Sequence, residues 1–212
     1  MTTLDKIKGM IFGAMYGDAF GAPHEFRKDK IMIDDLTMKS LNRFSRYAGK
    51  YIQTVAGQYT DDTEMAFVLL SHIINKNNYN EQEMIMEYMK WANSKIKFIG
   101  KNTRELFKGI KTLNGYNKRF SKKYSTQEQK NTSLSNGALM RCYPFVIYGL
   151  KHDDYLEVAM KDCALTNPSK LAMKVEKKYI TSLMKALKDK SKKSIVGNYV
   201  MTDTHDVTIN KG

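Results

Sequence analysis

The sequence predicts an all-α domain. Apolar residues return at helical spacing in successive stretches, alternating strand patterns are scarce, and no long-period internal repeat is present. A chain of 212 residues fits one domain, since domains run to about 100–200 residues each.

The first helix is predicted over residues 4–21, where Leu4, Ile7, Met10, Ile11, Ala14 and Met15 recur at helical spacing. Gly9, Gly13, Gly17 and Gly21 also lie in it, and each costs about 1 kcal/mol against alanine in a helix interior. Close approach of other backbones would offset that, so the expectation is a central helix crowded on more than one side. Gly21-Ala22-Pro23 ends the helix, because proline disfavours helix at the residue before it. His24, Glu25, Phe26 and Arg27 then fall on a loop, and residues 28–53 read as an irregular polar excursion with at most one short helix.

Helices follow over 62–76 and 81–95, the second with Met84, Ile85, Tyr88, Met89 and Trp91 on its apolar face. Asn80 with Glu83 has the spacing of a helix cap. Leu106, Phe107, Ile110 and Leu113 predict a helix over 102–113, whereas 114–133 is rich in Asn, Lys, Ser and Gln and reads as a long surface loop. The helix opened at Ser135 must kink or restart at Pro144. Helices over 153–166 and 170–187 complete the set, the last basic and amphipathic and best read as a cover on the core. The expected organisation is a helical domain over 1–190 and an irregular tail over 191–212.

The net charge of +13 favours acidic or phosphate-bearing partners, but the lysines are spread along the chain and no nucleic-acid recognition motif accompanies them. Two cysteines, Cys142 and Cys163, are no disulfide framework and fit a reducing compartment. No run approaches the roughly 18 apolar residues of a membrane span. The expectation is a cytoplasmic protein with neither a membrane nor a specific nucleic acid as partner.

Two stretches carry chemistry. Thr60-Asp61-Asp62-Thr63-Glu64 sets adjacent carboxylates at the mouth of an apolar helix. One reading is an acidic cap formed by Asp61 and Glu64. The other is a hard-cation site, since magnesium takes oxygen ligands, keeps waters and commonly uses one or two carboxylates. Adjacent side chains on a regular helix diverge by about 100°, so both reach one ion only where the backbone is still irregular. Ser135-Asn136-Gly137 is a second helix mouth, open to a phosphate or to an ordinary serine cap.

In combination the stretches are more specific than alone. Gly13-Ala14-Met15-Tyr16-Gly17-Asp18-Ala19-Phe20-Gly21-Ala22-Pro23-His24-Glu25-Phe26, Tyr59-Thr60-Asp61-Asp62-Thr63-Glu64-Met65 and Ser135-Asn136-Gly137-Ala138-Leu139-Met140-Arg141 occur in the order of three motifs of one family. A weaker fourth is Ala164-Leu165-Thr166-Asn167-Pro168. Over about residues 5–185 the chain resembles the ADP-ribosylglycohydrolase family, which includes the dinitrogenase reductase-activating glycohydrolase and the ADP-ribosylhydrolases. The resemblance implies a compact orthogonal helical domain that hydrolyses the glycosidic bond between ADP-ribose and a modified protein side chain or related acceptor, with two Mg2+ ions. It implies Thr60, Asp61 and Asp62 as metal ligands, with Asp61, Asp62 and Glu25 catalytic. It implies Ser135, Asn136, Gly137 and Asn167 as substrate-binding residues, and ADP-ribosylated protein or ADP-ribose as partner.

The chain also departs from the family. The family's second metal motif, aspartate-x-aspartate-threonine in a glycine-rich stretch, is matched only loosely by Thr202-Asp203-Thr204-His205-Asp206. Phe98 stands before Ile99-Gly100 where the family often has aspartate, and Asn167 follows Leu165-Thr166 where it often has histidine. The alternative reading is therefore a degenerate, non-catalytic ADP-ribose-binding protein lacking the second metal motif.

Overall fold

A computed structural model describes residues 2–25, 37–45 and 49–189. The elements are α1 (Thr3–Gly21), β1 (Asn42–Ser45), β2 (Lys50–Gln53), α2 (Asp61–Lys76), α3 (Glu81–Ala92), α4 (Lys101–Phe107), α5 (Leu113–Lys123), α6 (Gln127–Asn131), α7 (Gly137–Arg141), α8 (Pro144–Tyr148), α9 (Tyr155–Ala164) and α10 (Lys170–Lys188). Among the described residues the fold is all-α apart from one hairpin. The tail over 191–212, with Thr202–Asp206, lies outside the described residues.

The middle of the fold is α2, which packs against α1, α3, α7 and α8. Met65, Leu69 and Ile73 on one side of α2 meet a core that includes Met84 and Tyr88 of α3, Phe107 of α4 and Phe145 of α8. The basic helix α10 covers α7, α8 and α9, burying Ile180, Met184 and Leu187. No described helix is long and apolar enough to cross a membrane.

The described residues do not crowd the glycine helix in the way its sequence leads one to expect. Among the described residues, a Cβ added at Gly9, Gly13, Gly17 or Gly21 would meet nothing within 4 Å. Ala19 is the buried residue of α1, while Phe12 and Tyr16 are 64% and 56% exposed. The helix is marginal, capped by a Thr2–Asp5 box and tied to α10 by Lys6, whose ammonium donates to the Ala186, Leu187 and Asp189 carbonyls. A cation is favourable at the carbonyl end of a helix.

Two further expectations are corrected. Part of 28–53 is an antiparallel hairpin, pairing Asn42 with Gln53 and Phe44 with Tyr51. The Phe44 and Tyr51 rings meet edge to face, with centroids 5.4 Å apart. Cross-strand aromatic pairs of this kind stabilise a short ladder. The predicted loop over 114–133 holds α5 and α6 instead. Thr112 caps α5 through the Gly115 N–H, and Thr126 and Gln129 form a capping box on α6. Tyr116, Phe120 and Tyr124 meet one turn apart, tilted at 5.7 Å and edge to face at 5.0 Å, and Tyr116 stacks on Phe107. That aromatic row is the helical period hidden in a polar stretch.

The boundaries have local causes. The helix predicted over 102–113 stops at Phe107 because Gly109 takes φ +77°, and α5 starts afresh at Leu113. Pro144 restarts a helix at its first position, where its missing N–H does no harm. Asn80 accepts from the Glu83 N–H, as its spacing predicts.

Candidate active site

The site forms where α1 delivers Asp18 to the start of α2. Four donors converge on its carboxyl: the Thr60 N–H (2.8 Å), the Thr60 hydroxyl (2.6 Å), the Thr63 N–H (3.2 Å) and the Thr63 hydroxyl (2.6 Å). Thr60 is the N-cap of α2 and Thr63 its third residue, yet Thr60 makes no side-chain cap bond. A helix N-terminus leaves its first N–H groups unpaired, and here a carboxylate from another helix accepts from one of them.

That arrangement removes the acidic-cap reading of Asp61 and Glu64. Asp61 is the first residue of α2, and its carboxylate accepts from the Gly100 N–H at 2.7 Å. Glu64 turns aside and accepts from the Trp91 indole at 2.8 Å. Burial pushes the Asp61 carboxyl above the usual range against the Gly100 hydrogen bond. Asp62 is pushed up to about 7, first by burial and then by the negative charges of Asp61, Asp18 and Glu25. Glu64 is also raised by burial, opposed by the Trp91 N–H.

Ser135 and Asn136 form the exposed turn before α7, a helix of five residues. The last of these, Arg141, is fully buried. Its Nη1 donates to the Gly137 carbonyl at 3.1 Å, and its Nε and Nη2 each lie 3.1 Å from Asp162 Oδ2. From the other side Asn167 Nδ2 lies 2.9 Å from both the Ser135 carbonyl and its Oγ. Asn167 Oδ1 accepts from the Thr166 hydroxyl, so this amide is held inside the protein, 1% exposed.

Among the described residues a cleft of about 1920 Å³ is lined by Glu25, Thr60, Asp61, Asp62, Ser135, Asn136 and Gly137. It exceeds the roughly 300–1,000 Å³ of an ordinary small-molecule pocket. Asp18 and His24 also line it, as do Lys97, Lys101 and Arg104. Asn167 does not; it stands behind the Ser135 turn. Phe98 is 8% exposed on the same wall. Among the described residues no group of three or more His, Cys, Asp or Glu side chains gathers closely enough to hold a metal ion.

The sequence reading missed Asp18, Gly100, Trp91 and the Arg141–Asp162 pair as supports of the site. Asp18 alone left a signal: a carboxylate inside an otherwise apolar, glycine-rich helix needs compensation. The others act across tens of residues and leave no local pattern.

The family described as ADP-ribosylglycohydrolase matches residues 1–205, and the chain belongs to that family. It is 26% identical over 153 residues to the ADP-ribosyl-dinitrogen reductase glycohydrolase of Rhodospirillum rubrum, covering 72% of this chain and 48% of the relative. It is also 26% identical over 157 residues to an ADP-ribosylarginine hydrolase of Serratia proteamaculans, covering 70% and 38%. A solved structure titled ADP-ribosylglycohydrolase-related protein complex shares the fold, with a TM-score of 0.63 at 21% identity over 87% of this chain and 57% of that one. The chain spans less than half the length of these curated relatives.

Proposed function

We propose that this cleft binds an ADP-ribosylated protein and hydrolyses the glycosidic bond to the modified side chain with the help of Mg2+. One observation carries the reading: Glu25, the Thr60–Asp62 run and the Ser135–Gly137 turn, distant in sequence, line one cleft. The name of the Serratia relative makes arginine-linked ADP-ribose the first substrate to test.

The donor chemistry fits a hard cation. Thr60, Asp61 and Asp62 offer only oxygen, and magnesium is commonly held by one or two carboxylates with waters completing its shell. Burial first, and then the charges of Asp61, Asp18 and Glu25, push Asp62 up to about 7, and a cation beside it would relieve both. Thr60, Asp61 and Asp62 would hold the metal, two ions by family resemblance. A bound divalent ion lowers the pKa of water and orients sugar hydroxyls.

The chain's own residues do the rest. The Gly100 N–H fixes the Asp61 carboxylate at the cleft wall. Glu25, which lines the same cleft as Asp61 and Asp62, would exchange a proton with water or the leaving group. Water adds to the anomeric carbon, the bond to the acceptor breaks, and the acceptor leaves with a proton. Such reactions pass through an oxocarbenium-like state, which nearby carboxylates stabilise. Ser135, Asn136 and Gly137 meet the diphosphate, with Lys97 and Lys101 adding positive charge along the cleft. Asn167 serves by holding the Ser135 turn.

The test offers arginine- and serine-linked ADP-ribosyl peptides to the protein with Mg2+. Release of ADP-ribose from one of them, absent in Asp61→Ala/Asp62→Ala, supports hydrolysis. Tight ADP-ribose binding without release would instead establish the non-catalytic binder.

A further inference from the structure

We infer that Asp18 is a positioning residue that turns the Thr60 hydroxyl into a lone-pair donor for the cation. This rests on the metal-dependent reading above and adds a role for a residue outside the expected ligand set.

The inference follows from counting hydrogens and lone pairs. A threonine hydroxyl has one proton and two lone pairs. At an ordinary N-cap the hydroxyl oxygen accepts from the N–H of the second or third helical residue, which occupies a lone pair. Thr60 is the N-cap of α2, but its side chain makes no such bond. Asp18 Oδ2 accepts from the N–H of Thr63, the third helical residue, at 3.2 Å. The capping duty has passed from Thr60 to a carboxylate on α1. Asp18 Oδ1, in turn, accepts the Thr60 hydroxyl proton at 2.6 Å.

Both effects act in one direction. The proton of Thr60 points at Asp18, and both lone pairs are released from capping. Thr60 lines the cleft beside Asp61 and Asp62, so its oxygen is presented as an acceptor where the carboxylates lie. The Thr60 N–H, also bonded to Asp18 Oδ2 (2.8 Å), fixes the backbone from which the side chain projects. Partners that orient a metal ligand in this way typically contribute 10–100-fold to metal affinity.

The test is Mn2+ affinity, read by electron paramagnetic resonance and calorimetry on the whole chain, with thermal unfolding measured alongside. Asp18→Asn keeps the size of the side chain and weakens Mn2+ binding 10–100-fold. Thr63→Val also removes a bond to Asp18 and lowers Tm, but leaves Mn2+ affinity within about twofold, because the Thr60 hydroxyl stays oriented. In a Thr60→Val background, Asp18→Asn has no further effect on affinity. A second measurement needs no variant: the Thr60 hydroxyl proton gives a resolved, slowly exchanging resonance in the wild-type protein. Equal Mn2+ affinity in wild type and Asp18→Asn, additive losses with Thr60→Val, or a freely exchanging Thr60 hydroxyl would each overturn the inference. Absence of Mn2+ binding by the wild-type protein would overturn the metal reading itself, and this inference with it.

Discussion

Arg141 and Asp162 form an ion pair with no access to water: the guanidinium lies 3.1 Å from Asp162 Oδ2, and the side chains are 0% and 1% exposed. The pair joins α7 to α9, and Tyr88 of α3 closes it by donating to Asp162 at 3.0 Å. Because Arg141 also holds the Gly137 carbonyl, the buried pair sets the position of the Ser135–Gly137 turn. Removing one partner strands the other charge in the core, at a cost of about 3–5 kcal/mol. Arg141→Ala is therefore expected to lower stability by about that amount in urea unfolding, far more than Lys161→Ala at the exposed Glu157–Lys161 pair.

Glu176 gives the chain a pH-dependent stability. It is 0% exposed, and among the described residues no nitrogen or hydroxyl donor reaches either carboxyl oxygen. The Cys163 thiol beside it donates to the Asn167 carbonyl, at 3.6 Å. Burial pushes this carboxyl up to about 8, against the pull of Arg141. Between its ordinary value of 4.5 and about 8, the folded protein holds a proton on Glu176 that the unfolded chain has released. Stability therefore falls as pH rises through that window, by at most about 1.4 kcal/mol per pH unit, and this contribution is flat outside it. Glu176→Gln removes the slope. Its Tm advantage over the wild type is expected to grow from pH 5 to pH 8 and then level off.

The open face of α1 predicts a gain from substitution. An added Cβ at Gly9 or Gly13 meets no described atom, and both residues are exposed within the helix. Alanine there is expected to stabilise the protein by about 0.5–1 kcal/mol per site. A loss of stability at either position would show that something further packs on that face.

Asn167 affects substrate from behind the turn. Asn167→Ala removes two bonds to Ser135. The expected result is a loss of ADP-ribose affinity of up to about tenfold, since one lost hydrogen bond to a neutral group is worth about 0.5–1.5 kcal/mol. Divalent-cation affinity is expected to be unchanged, because Asn167 does not line the cleft where Asp61 and Asp62 lie.

Much of the fold was legible because its helices carry their own signals. The apolar face of α3, its Asn80 cap and the restart at Pro144 are all local. The hairpin was hidden because four-residue strands are too short to show alternation, and its Phe44–Tyr51 contact joins residues seven apart that no local pattern links. The α5–α6 segment was hidden because its Tyr116, Phe120 and Tyr124 row sits among lysines and asparagines. For the candidate site, the residues that line the cleft lay in recognisable runs. The residues that hold them lay elsewhere: Asp18 reaches Thr60 across 42 positions, and Gly100 reaches Asp61 across 39. Sequence spacing left both a cap and a cation site open at Asp61. The carboxyl of Asp18 in the capping position removes the first of these.

Under the proposed function, the Thr60–Asp62 mouth would make this cleft a metal-dependent ADP-ribosyl hydrolase. The most direct measurement is the rate of ADP-ribose release from an arginine-linked ADP-ribosyl peptide by chelator-treated protein, before and after Mg2+ is restored. Metal-dependent hydrolysis at this mouth gives no release without metal, recovery on addition of Mg2+, and no recovery in Asp62→Asn. Release that is indifferent to chelation, or recovery by Asp62→Asn equal to the wild type, would contradict it.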